Sequence, residues 1–165
     1  MDADWAGSWQ KRSSLDPLSA HSRTGFVIFY AGCPIVWKSS MQSLIALSTT
    51  EAEYIALSTA LREVIALIHL LEELEALGFP IHKVTPRVSC TAFEDNQSCI
   101  AIATKHQNRP RTKHLSVRLH HFRSWVTSKR VKVVHVSTKN QIADILTKPL
   151  PHAAFTTLRA KLMRW

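Results

Sequence analysis

The chain has 165 residues, 45% of them hydrophobic, which is enough for one domain with a real core and excludes disorder throughout. Its 21 Lys and Arg outnumber 12 Asp and Glu, for a net charge of +9 and a pI near 9.9, so a polyanion such as nucleic acid is the expected partner, against the plainer reading of a soluble basic domain. Charge interrupts the apolar stretches, no secretory signal precedes the first motif, and Cys33, Cys90, Cys99 and the scattered histidines lack metal-type spacing; a reducing compartment, no membrane span and no zinc are expected.

In chain order, Asp2 and Asp4 alternate along an extended segment and so share one side of it. Residues 7–24 are rich in Ser, Lys and Arg and read as a loop. Residues 25–30 predict a buried strand, 31–34 a turn and 35–38 a second strand, which together make a hairpin. Residues 48–77 predict the longest helix: Ser48-x-x-Glu51 and Thr50-x-x-Glu53 both fit a capping box, Leu57, Leu61, Val64, Ile68 and Leu71 make one apolar seam, and Gly78 and Pro80 end it. Residues 87–94 are strand-like, with Val88, Cys90 and Ala92 on one face, and residues 95–98 open a short helix over 99–104. A basic loop (105–113) leads to a helix lined by Leu115, Leu119, Phe122 and Val126, and residues 131–136 predict a strand. Thr138-x-x-Gln141 predicts a cap for a helix over 141–147, stopped by Pro149; Phe155, Leu158, Leu162 and Trp165 predict a last amphipathic helix. The order implies an α/β domain over 1–150, a mixed sheet flanked by helices, with 151–165 as a C-terminal helix or tail.

Four carboxylates stand where a sheet-based site would want them. Glu53 shares the seam of Leu57, whereas Glu51 lies on the more polar face of Ile55, Ser58 and Arg62. A carboxylate on the packed face needs a metal or a partner, but Glu53 at a helix start is equally readable as a cap. Asp95 ends a strand before a helix, a place where sites gather and also where Asp serves as N-cap. Asp144 falls in the first turns of a helix, where the dipole alone would favour it.

The strings DADWAG, TGFVIFYAGCPIVWKSS, ALSTTEAEYIALSTA, EDNQSCIAIA, RTKHLSVRLHHFR and QIADILTKPL, in that order, resemble the ribonuclease H domain of copia-type LTR retrotransposon polyproteins over nearly the whole chain. The resemblance implies a ribonuclease H-like fold: a mixed five-stranded sheet with helices on both faces, its first strand short here because the residues that should precede Asp2 are missing. It implies two-metal hydrolysis of the RNA strand of RNA–DNA hybrids during reverse transcription, with two Mg²⁺ ions (Mn²⁺ as substitute) held by Asp2, Glu53, Asp95 and Asp144, and with Asp4 as the alternative to Asp2. Gln97 matches a position that touches the hybrid's minor groove. Arg109, Arg111 and Lys113 are proposed phosphate contacts, against a merely solvated basic loop. Residues 137–140, before the last acid, carry no histidine, in keeping with the copia-type pattern. The same resemblance implies a reverse transcriptase elsewhere in the polyprotein and a cytoplasmic virus-like particle. The rival expectations are a hybrid-binding remnant without turnover, a strand-transfer enzyme on the same architecture, and a structural polyprotein domain.

Overall fold

The computed structural model describes residues 1–13, 15–83, 87–104 and 116–164. The protein is α/β, with β1 (Asp2–Asp4), β2 (Arg23–Tyr30), β3 (Cys33–Met41), α1 (Thr49–Ala76), β4 (Cys90–Glu94), α2 (Gln97–Thr104), α3 (Ser116–Thr127), β5 (Val131–His135) and α4 (His152–Met163) in chain order. The hairpin turns tighter than expected. Ala31 and Gly32 alone make the bend, both at positive φ (48° and 82°), as a two-residue loop with matched strand twist demands. Pro34 is therefore inside β3, tolerated because β3 is an edge strand and the ladder is irregular opposite Ile28 and Phe29.

The expected single five-stranded sheet is corrected to two sheets among the described residues: antiparallel β1-β2-β3 and parallel β4-β5. The reason is the length of β1. Its three residues pair with Gly25, Thr24 and Arg23, and the backbone link toward β4 is the Met1 amine donating to the Phe93 carbonyl at 3.1 Å. Beyond it a cavity of about 570 Å³ separates β2 from β4, lined by Phe26, Ile28, Leu61, Val64, Val88 and Ala92 among others.

α1 builds the core. Ser48, not Thr50, is its N-cap, accepting from the Glu51 amide at 3.1 Å, while Glu51 accepts from the Leu47 amide at 2.8 Å. The seam residues Leu57, Leu61, Val64 and Ile68 are buried together with Tyr54, Ala92, Cys99, Phe122, Val131 and Val133. By length and composition alone α1 is long and apolar enough to cross a bilayer, contrary to the expectation that no stretch approaches that span; here its apolar face packs inside the domain. Ala3 joins Ala46, Ala52, Ile55 and Ala56 in a second cluster, which fastens β1 to the start of α1.

The predicted helix over 141–147 is instead a pair of 3-10 turns, Thr138–Asn140 and Ile142–Leu146. Thr138 does not cap; its hydroxyl donates to Asp95 Oδ2 at 2.8 Å, a long-range bond that competes with the local one. The second turn packs on β1 and β2, with α4 against it. Gly25 permits this approach, since a Cβ there would meet Thr147 Cγ2 at 2.5 Å and the Ala143 carbonyl at 3.1 Å.

Candidate metal centre

Asp2 alternates with Ala3 on β1. Ala3 faces α1, so Asp2 takes the opposite pleat and is fully buried beside the Ile142–Leu146 turn. Glu53 enters from the first turns of α1 and is 7% exposed. Asp95 follows β4 and is half-buried. Carboxylate oxygens of Asp2, Glu53 and Asp95 lie within 4.8 Å of one another, close enough to share one cation. Asp144, 6% exposed on its 3-10 turn, reaches the group on the other side of Asp2. The link is Lys148, whose Nζ stands 3.0 Å from Asp2 Oδ1 and 3.1 Å from Asp144 Oδ1. The Thr147 hydroxyl donates to Asp2 Oδ2.

Asn96, not Asp95, caps α2. Its side-chain oxygen accepts from the Cys99 amide at 3.0 Å, which leaves the Asp95 carboxylate to Thr138 and the acidic cluster. Gln97 is exposed at the first position of α2. Asp4 lies apart from the cluster, its carboxylate folded over Gly7, so of the two N-terminal aspartates Asp2 is the one in the site. Arg109, Arg111 and Lys113 lie outside the described residues.

Two further residues of the site, Glu94 and Lys148, are not among the residues expected from the sequence. Glu94 is fully buried, with Oε1 accepting from the Asn96 amide at 3.0 Å and Oε2 without a hydrogen-bond partner. Strand alternation from Cys90 through Ala92 lands on it, so the signal was present. Lys148 follows Asp144 by four residues (i, i+4), but nothing local says that it also reaches Asp2.

The electrostatics are those of acids crowded out of water. Burial pushes the Glu53 carboxyl up to about 10, with repulsion from Glu94, Asp2 and Asp95 adding to it and Lys148 opposing. Burial raises Glu94 to about 7, against the Asn96 amide and the Met1 amine. Burial and then Asp2 raise Asp144 to about 6, again against Lys148. Burial works against the charged form of Lys148, yet Asp2 and Asp144 together outweigh it and hold its pKa above the ordinary value.

The donor set fits a hard divalent cation. It consists of carboxylate oxygens, and Glu53 Oε2 is buried without a hydrogen-bond partner beside Asp2 and Asp95. An uncompensated carboxylate oxygen in that position costs free energy that a cation would recover.

No family model matches the chain. It is 38% identical over 154 residues, 93% of its length, to the retrovirus-related Pol polyprotein from transposon TNT 1-94 of Nicotiana tabacum, covering 10% of that protein. It is 34% identical over 161 residues, 98% of its length, to the retrovirus-related Pol polyprotein from transposon RE1 of Arabidopsis thaliana, again covering 10%. To the transposon Ty1-JR2 Gag-Pol polyprotein of Saccharomyces cerevisiae it is 31% identical over 142 residues, 85% of its length and 8% of that protein. The chain thus spans about a tenth of the length of the curated relatives it matches. Its relatives are retrotransposon Pol polyproteins, and the similarity to them runs over most of the chain.

Proposed function

We propose that the chain is a ribonuclease H-type hydrolase that cuts the RNA strand of RNA–DNA hybrids, with divalent cations, Mg²⁺ first, held by Asp2, Glu53, Asp95 and Asp144. One observation carries the reading: in a protein of net charge +9, oxygens of three carboxylates from separate elements meet within 4.8 Å, and one of those residues keeps a buried, unpartnered oxygen. Similarity to Pol polyproteins agrees with it, because copying an RNA genome leaves hybrids to be removed. When bound, the cations would activate water and stabilise the leaving oxygen of an in-line displacement. The chain's own residues supply the rest. The acids fix the cation positions, Thr138 and Thr147 orient Asp95 and Asp2, and the basic surface holds the phosphates. Discrimination for RNA would come from 2′-hydroxyls in the shallow minor groove, near exposed Gln97 at the start of α2. In a cell the setting would be the cytoplasmic particle in which a linked reverse transcriptase works.

The test is a labelled RNA–DNA hybrid incubated with the protein and Mg²⁺. The expected result is internal cutting of the RNA strand alone, abolished by EDTA, with duplex DNA untouched. Hybrid retained on the protein but uncut even with Mn²⁺ would replace the hydrolase with a binding module. Cutting that survives EDTA would remove the cation from the mechanism.

A further inference from the structure

The acids of the site are partly occupied by the chain itself. Each oxygen of Asp2 already accepts a hydrogen bond: Oδ1 from the Lys148 ammonium at 3.0 Å and Oδ2 from the Thr147 hydroxyl. The same ammonium bonds Asp144 Oδ1 at 3.1 Å. A cation shared by Asp2, Glu53 and Asp95 would sit against a carboxylate that already holds the Lys148 ammonium at 3.0 Å, so the two positive charges oppose each other there. The competitor is held in place from below. Lys148 follows the 3-10 turn, and its amide donates to the Asp144 carbonyl at 3.0 Å, which ties its backbone to the turn while the side chain, 31% exposed, has a path to solvent.

Resting on the reading of these acids as cation ligands, we propose that Lys148 is a built-in counter-ion. It holds the place between Asp2 and Asp144 in the cation-free protein, keeps those carboxylates together, and must swing away for a divalent cation to load. The consequence is a site that is pre-assembled yet loads cations more weakly than its acids alone would. Lys148 is a positioning residue here; it acts on the site through Asp2 and Asp144.

The experiment is a calorimetric Mg²⁺ titration of the whole chain in four forms: wild type, Lys148→Met, Lys148→Arg and Lys132→Met. Lys132 is exposed on β5, so its loss changes net charge equally while leaving the site alone. Lys148→Met is expected to bind Mg²⁺ about tenfold more tightly than wild type, because one competing charge in a partly buried site is removed. Lys148→Arg and Lys132→Met are expected within about twofold of wild type. Equal affinity in wild type and Lys148→Met, with both binding, overturns the counter-ion while leaving the metal reading intact. Binding by none of the four overturns both. Should Lys148→Met fail to fold, wild type suffices. Reductive methylation of Lys148, followed by mass spectrometry, is expected to rise severalfold on Mg²⁺ addition, and labelling that Mg²⁺ leaves unchanged overturns the proposal.

Discussion

Glu53→Gln and Asp95→Asn are expected to lower hybrid cleavage alike, by at least ~100-fold, beyond the 10–100-fold typical of a residue that only supports a ligand. They are expected to part company in stability. Asp95 is half-buried, and Asn keeps an acceptor for Thr138, so the melting temperature of the metal-free protein should barely move, within the about 0.5 kcal/mol usual for such substitutions. Glu53 is different: burial has pushed its carboxyl up to about 10, so near pH 8 the folded protein holds a proton that the unfolded chain has released. Gln has no proton to hold. The metal-free Glu53→Gln protein should therefore melt higher than wild type at pH 8, and Mg²⁺ should no longer raise it further. Thermal melts with EDTA and with Mg²⁺ check both parts. A Glu53→Gln protein less stable than wild type at pH 8 would mean that the carboxylate has a partner in the fold.

The same acids set the pH dependence. Unfolded carboxyls titrate at about 4. In the folded protein Asp144 holds its proton to about 6, Glu94 to about 7 and Glu53 to about 10. Between the unfolded and folded values the folded state binds more protons, so stability falls as pH rises. The Met1 amine, whose pKa burial lowers, works the other way but is one group against three. The metal-free protein should thus be most stable near pH 5 and lose several degrees of melting temperature by pH 8, at roughly 2–4 °C per kcal/mol for a chain this long. A divalent cation binds the deprotonated carboxylates, so Mg²⁺ should add little at pH 5 and most at pH 8. Melting temperatures in EDTA that are flat or rising between those pH values would contradict the cluster.

The elements legible in the sequence are those specified locally. The seam of α1 places Leu57, Leu61, Val64 and Ile68 inward, and all four are buried. The two glutamates in the first turns of α1 divide as the seam suggests, with Glu53 buried and Glu51 spent on the Leu47 amide. The hairpin was legible from its two apolar runs, though not its bend, because a positive φ at Ala31 leaves no mark on composition. What was not legible depends on distant partners. A short first strand was expected, but not that the sheet would divide between β1 and β4, which depends on pairing across the fold. Thr138 looked like a helix cap because Gln141 follows it at the right spacing, yet its hydroxyl has a partner forty-three residues away. Asp95 had two readings, and its neighbour Asn96 took the capping role, a choice that the two adjacent residue types left open. Lys148 gives no local signal because a lysine four residues after an aspartate is ordinary; its second contact, to Asp2, exists only once β1 and the Ile142–Leu146 turn are packed together.

The account turns on whether these acids bind a cation together. Crystals soaked in Mn²⁺ and recorded at its absorption edge answer this directly. The predicted result is an anomalous peak bonded to oxygens of Asp2, Glu53 and Asp95, at roughly 2 Å as for other small hard cations. Mn²⁺ found only at surface carboxylates, with the Asp2, Glu53 and Asp95 oxygens bare at saturating concentration, would contradict it.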